Sequence, residues 1–98
     1  MSRMSVSLES SVASVRRARG WTQQQLAGAA GVSRQTVVEL EAGGYNPSAV
    51  LALRLALLLE AAVEDLFALP AEDAADIAAR RAHLRAGKTH QEVSGETA

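Results

Sequence analysis

Ninety-eight residues, 48% of them apolar, suit one domain built around a single modest core. Only three residues are aromatic and none is Cys, which excludes a disulfide scaffold, a Cys-type zinc site and a Cys nucleophile. The formal net charge of −1 excludes a simple polycation, but the charge is unevenly spread: residues 1–43 hold five Arg against three Glu, and residues 44–98 hold five basic against eight acidic residues.

The N-terminal half is therefore the one suited to facing a polyanion, with the C-terminal half turned away from it. The apolar mass is Ala, Leu and Val, and Gly and Pro fall where segments end, so the chain reads as all-α. The opening "MSRMSVSLESS" lacks the apolar run of a secretory signal. The most apolar stretch, Ala49–Leu59, is broken by Arg54 and is too short to span a bilayer. A cytoplasmic location and no membrane partner are expected, in keeping with the lack of Cys.

In chain order, residues 1–7 read as a frayed terminus. From Leu8 to Arg19 the apolar positions Leu8, Val12 and Val15 fall at i, i+4 and i+7, one face of a first helix. Gly20 ends it and Trp21 anchors the chain in the core. Thr22 is a good N-cap for a second helix, and Gln25 three residues on can close a capping box. Leu26, Ala27 and Ala30 are its inward residues, and Gly31 stops it. Val32 plugs the turn and Ser33 caps a third helix, which buries Val37 and Leu40 and exposes Arg34, Gln35, Val38 and Glu39. That helix ends before Gly43-Gly44.

"GGYNPS" is a turn-rich connector in which Pro47 pushes Asn46 toward an extended conformation. A fourth helix runs from Pro47-Ser48 to Leu59. Leu51, Leu55 and Leu58 line one of its faces, Leu53 and Leu57 another, so it is buried on two sides or covered by a partner. A fifth helix is expected over 63–69. "PAEDAADIAARRAHLRAG" reads as a sixth, acidic at its start and basic at its end, as the helix macrodipole favours, with Gly87 closing it. Residues 88–98 read as a flexible tail. His83 and His90 have no Cys and few acids placed near them, so neither a metal site nor a cofactor is expected.

Two short helices joined by a glycine turn, the second capped and projecting its first side chains, form a helix-turn-helix pattern. The stretch "RRARGWTQQQLAGAAGVSRQTVVELEAGGYNPS", followed by "LALRLALLLEAAVEDLFAL", resembles the phage-repressor or XRE-type helix-turn-helix regulators. The motifs TQ-x-x-LA, G-V-S-R-Q-T, E-x-G-x-Y-N-P-S and E-D-L-F stand in that family's order and spacing. The resemblance implies a five-helix DNA-binding domain over residues 8–69, with residues 70–87 as an added helix for dimerisation or packing. It implies a sequence-specific transcriptional regulator, a dimeric repressor that sets the third helix (about Ser33 to Glu41) into the major groove of a palindromic operator. A helix of this kind reads bases with its N-terminal side chains.

By position, the resemblance gives base reading to Arg34, Gln35, Val38 and Glu39. It gives phosphate contacts to Thr22, Gln23, Ser33, Thr36, Tyr45 and Asn46, and a structural ion pair to Arg16 and Glu41. Arg suits guanine and Gln suits adenine, while Val38 suits a thymine methyl and Glu39 the amino group of cytosine. Trp21 is expected in the core, and Arg17 and Arg19 in solvent. The chain departs from the family where Glu41-Ala42-Gly43-Gly44 stands in place of E-N-G-K/R, removing an amide and a basic phosphate contact. It departs again at Glu60-Ala61-Ala62, which replaces Gly-Val-Ser, so the fourth and fifth helices are expected to run closer to continuous. Leu51, Leu55, Leu58, Ile77 and Leu84 are the candidate dimer contacts.

A second reading stays open: an antitoxin that regulates itself through the same domain and binds a toxin through its C-terminal segment. "LRAGKTHQEVSGE" faintly resembles the end of some antitoxins. An enzyme is excluded by the want of a nucleophile–base pair, a metal cluster or a phosphate-cradling glycine loop.

Overall fold

A computed structural model describes residues 6–96, with side chains placed through residue 86. Eight elements follow in order: β1 (Glu9–Ser10), α1 (Val12–Ala18), α2 (Gln23–Ala30), α3 (Arg34–Ala42), α4 (Ala49–Leu59), α5 (Val63–Leu66), β2 (Phe67–Ala68) and α6 (Ala71–Glu96). The fold is all-α in character, with one short two-stranded pairing.

Local chemistry explains most of the helix ends. Thr22 Oγ1 accepts the Gln25 N–H at 3.0 Å while Gln25 Oε1 accepts the Thr22 N–H at 2.8 Å, a reciprocal box that satisfies two donors left over at the start of α2. Ser33 and Ser48 cap α3 and α4 by accepting the N–H groups of Thr36 and Leu51. Gly31 closes α2 at φ 77°, a left-handed conformation that costs glycine little.

The core gathers one face from each helix. Val12, Leu26, Ala27, Ala30, Val37, Leu40, Leu51, Leu55, Leu59, Leu66 and Phe67 are all buried, with Trp21, Val32 and Tyr45 half-buried against them. Small side chains at Ala27 and Ala30 let α3 and α4 pack close to α2.

The N-terminus differs from the helix expected over residues 8–19. Glu9 and Ser10 are extended and pair antiparallel with Ala68 and Phe67, and α1 starts only at Val12. Leu8 still reaches the core, because an extended segment delivers it as well as a helical turn would. The Asn46 side chain fixes that segment: Oδ1 accepts the Leu8 N–H and Nδ2 donates to the Val6 carbonyl, both at 3.0 Å.

The expectation of near-continuous fourth and fifth helices is also corrected. Glu60 takes a left-handed conformation, φ 54° and ψ 50°, and breaks the chain after Leu59. Ala62 is extended, and the Asp65 carboxylate accepts its N–H at 3.3 Å, starting α5 without a Ser cap. The break lets Leu59 and Leu66 both bury fully. The fifth helix is shorter than the expected 63–69, since Phe67 and Ala68 leave it to pair with β1.

Two arginines close helix ends across the fold. Arg19 donates to the carbonyls of Leu59 (2.7 Å) and Glu60 (3.1 Å), and Arg54 donates to that of Ala30 (3.3 Å). Each sets a cation at the negative end of a helix dipole. Arg19 is exposed, as expected, and is also tied to the end of α4. After Pro70, α6 runs to Glu96 without the stop expected at Gly87, and the molecule measures 57 × 32 × 21 Å.

Glu60 is the one non-glycine residue at positive φ among the described residues. A Cβ there costs about 1 kcal/mol or more, so Glu60→Gly is expected to stabilise the protein by roughly 1 kcal/mol. Gly31→Ala is expected to destabilise it by a similar amount from backbone strain, since the added Cβ meets only Arg54 Nη1 at an ordinary 3.6 Å. Urea unfolding of the two variants beside wild type measures both.

Candidate nucleic-acid interface

The site is built outward from one buried charge. Arg16 on α1 is only 7% exposed. Its Nε and Nη2 donate to Glu41 Oε2 and Oε1 at 2.6 and 3.1 Å, and its Nη1 donates to the Trp21 carbonyl at 2.9 Å. A two-pronged guanidinium–carboxylate contact fixes angle as well as distance. It holds the end of α3 against α1, and it holds the turn that leads into α2.

Gln23 extends the network to the surface. Its Nε2 donates to Glu41 Oε1 at 3.0 Å, and its Oε1 accepts from Arg34 Nη2 at 3.2 Å. The amide orientation follows from these partners, since the nitrogen must face the carboxylate and the oxygen the guanidinium. Arg16, Glu41, Gln23 and Arg34 thus form one chain of contacts from the interior to the exposed start of α3.

Arg34, Gln35 and Glu39 are exposed on α3 and Val38 is half-buried beside them. Gln35 Nε2 lies 3.4 Å from Glu39 Oε2, a long and weak contact one turn along the helix. Thr22 and Ser33 are exposed, but their hydroxyls already accept the capping N–H groups, and Ser33 Oγ lies 3.0 Å from Thr36 Oγ1. Tyr45 is half-buried against the core. Asn46 is exposed, yet both ends of its amide hold the Val6–Leu8 segment.

The candidate dimer contacts are not brought together. Leu51 and Leu55 are 7% and 1% exposed and belong to the domain's own core, so they offer a partner nothing. Leu58 is half-buried. The large apolar side chains of α4 left open are Val50, Leu53 and Leu57, while Ile77 and Leu84 are exposed on α6. His83 is exposed, the side chain of His90 lies outside the described residues, and no group of metal-binding side chains occurs among those described.

The electrostatics of the pair are one-sided. Burial pushes the Glu41 carboxyl up, but the hydrogen bonds from Arg16 and Gln23 and the charges of Arg16 and Arg17 outweigh it, and its pKa is lowered. The Glu41 hydrogen bond raises Arg16 further.

Contacts such as those of Arg19 and Arg54 leave no mark in the sequence, because an arginine that caps a distant helix looks like any surface arginine. The pairing of β1 with β2 is equally silent, being only two residues long.

A short helix, a glycine turn, and a second helix anchored by its inner face with its first side chains standing free define a helix-turn-helix. The helix-turn-helix family model matches residues 12–66. The chain belongs to the XRE-type helix-turn-helix family of DNA-binding transcriptional regulators. It is 48% identical over 54 residues to an uncharacterized HTH-type transcriptional regulator of Archaeoglobus fulgidus, covering 55% of this chain and 77% of the relative. A regulator of the same description from Methanothermobacter thermautotrophicus is 45% identical over 60 residues, 60% of this chain and 87% of its own. One from Bacillus subtilis is 36% identical over 66 residues, 67% of this chain and all of its own. No helix among the described residues is long and apolar enough to cross a membrane.

Cutting the pair strands a charge. Glu41→Ala is expected to destabilise the protein by about 3–5 kcal/mol, because it leaves Arg16 buried and unpaired. The pH dependence has a definite sign. The folded pKa of Glu41 lies below its ordinary 4.5, so its contribution is present above that value and is lost as pH falls through the folded pKa. Urea unfolding of wild type and Glu41→Gln is expected to show a gap that is constant above pH 5 and closes on acidification.

Proposed function

We propose that the protein is a sequence-specific repressor that acts as a dimer on a palindromic operator, with α3 in the major groove. The observation that carries this reading is the chain of contacts Arg16–Glu41–Gln23–Arg34. It fixes the recognition helix against the rest of the domain before any DNA is met, with Arg34 held at the surface by Gln23 until a base replaces that contact. A helix held in place beforehand loses less freedom on binding.

In this reading Arg34 and Gln35 reach base edges as the principal readers, and Val38 and Glu39, one turn later, read the following pair. Thr22 and Gln23 stand at the start of α2 and Ser33 and Thr36 at the start of α3, where N–H groups and hydroxyls meet phosphates. Gln23 would exchange its bond to Arg34 for a phosphate as Arg34 turns to a base. Tyr45 and Asn46 flank the far end of α3 and contact the backbone there. Two domains on half-sites about one helical turn apart double a small interface, which a net acidic chain needs.

The test is fluorescence anisotropy on the DNA upstream of its own coding region, at two salt concentrations. Tight, salt-sensitive binding is expected. Gln35→Ala and Arg34→Ala are each expected to lose about 1–3 kcal/mol on that DNA and little on random DNA. Equal binding to both DNAs by wild type would refute the specific reading.

A further inference from the structure

The α6 helix carries apolar surface that nothing in the domain covers. Ile77 is 46% and Leu84 68% exposed, and Leu69 just before the helix is 42% exposed. A helix standing alone is marginal in water, and a regular apolar stripe open to solvent marks a contact surface.

Charge is sorted along the same stretch. Glu72, Asp73 and Asp76 occupy its first part and Arg80, Arg81 and Arg85 its second. The surface divides accordingly. An open groove of about 520 Å³ at the base of α6 is lined by Val6, Pro70, Glu72, Asp73, Asp76 and Arg80. Further along, a shallow face is formed by Ile77, Arg81, Leu84 and Arg85 beside Arg80. The first is largely acidic, the second basic and apolar.

The order is close to palindromic about Ile77. Leu69 lies eight residues before it and Leu84 seven after; Asp73 lies four before it and Arg81 four after. Reversing the chain about Ile77 therefore sets apolar on apolar and acid on base.

We propose that a second copy of this chain covers this face, the two α6 helices pairing antiparallel across a two-fold axis at Ile77. Ile77 packs on its counterpart. Leu84 of each copy enters beside Leu69 and Pro70 of the other. Arg81 of each copy faces Asp73 of the other, while Arg80 keeps its 3.0 Å bond to Asp76 of its own helix. A parallel pair would set acids against acids and arginines against arginines. The competing surface is the α4 stripe of Val50, Leu53 and Leu57, which has no such charge order; its neighbour Arg54 is already engaged by the Ala30 carbonyl. The helix also lies outside the family model's match, which ends at residue 66. This inference rests on the dimeric reading above and assigns its surface.

Sedimentation equilibrium of the full chain without DNA, at tens of micromolar and low salt, tests it. Wild type is expected at twice the chain mass of 10.3 kDa, and Ile77→Asp at the monomer mass. Asp73→Arg and Arg81→Asp are each expected to weaken the dimer about tenfold or more by setting like charges together, and the combined D73R/R81D chain to regain it. The substituted residues lie outside the core, and circular dichroism melts check that each variant still folds. A combined variant no tighter than the single ones would overturn the antiparallel pairing. A dimer that survives Ile77→Asp but is lost in a Leu53→Glu, Leu57→Glu chain would move the interface to α4 and leave the dimeric reading standing. A monomeric wild type would refute both.

Discussion

The Arg16–Glu41 pair is the contact on which the arrangement of the first three helices depends. Arg16 is the one buried charged residue among those described, and it touches the turn before α2 as well as the end of α3. A buried ion pair adds little net stability over a well-packed apolar pair. What it adds here is direction. The guanidinium and carboxylate meet at two points, so α3 cannot rotate about its own axis without breaking a bond inside the protein. Apolar contacts through Val37 and Leu40 alone would tolerate such rotation more readily.

Gln23 turns that internal constraint into a property of the surface. It binds the same carboxylate and also holds the Arg34 guanidinium. The exposed start of α3 is thus tied to the core through side chains as well as through the backbone. Local capping works toward the same end: the Thr22–Gln25 box fixes the start of α2, and the Ser33 cap fixes the start of α3 beyond the glycine turn.

Two charges that count toward the basic character of the N-terminal half are engaged within the domain. Arg16 is bonded to Glu41 and Trp21, and Arg19 to the end of α4. Fewer cations are left free to neutralise phosphates than composition suggests, which lowers the total electrostatic contribution to binding. The same economy applies at Asn46, whose amide ties down the Val6–Leu8 segment just before β1, the strand that pairs with β2.

Much of the fold and the site was legible in the sequence because its signals are local. Gly31, Thr22 with Gln25, Ser33 and Ser48 mark helix ends through bonds spanning three or four residues. Val37 and Leu40 mark the inner face of α3 through its period. Tertiary structure alone decided the rest, because the partners lie far apart in the chain. Arg19 finds a helix end some forty residues away, and Phe67 leaves α5 because an extended segment near the N-terminus is there to pair with it. Leu51 and Leu55 were indistinguishable from Leu53 and Leu57 by composition. Which pair faced the core depended on how the other helices closed around α4, and a one-dimensional pattern of leucines carries no such information.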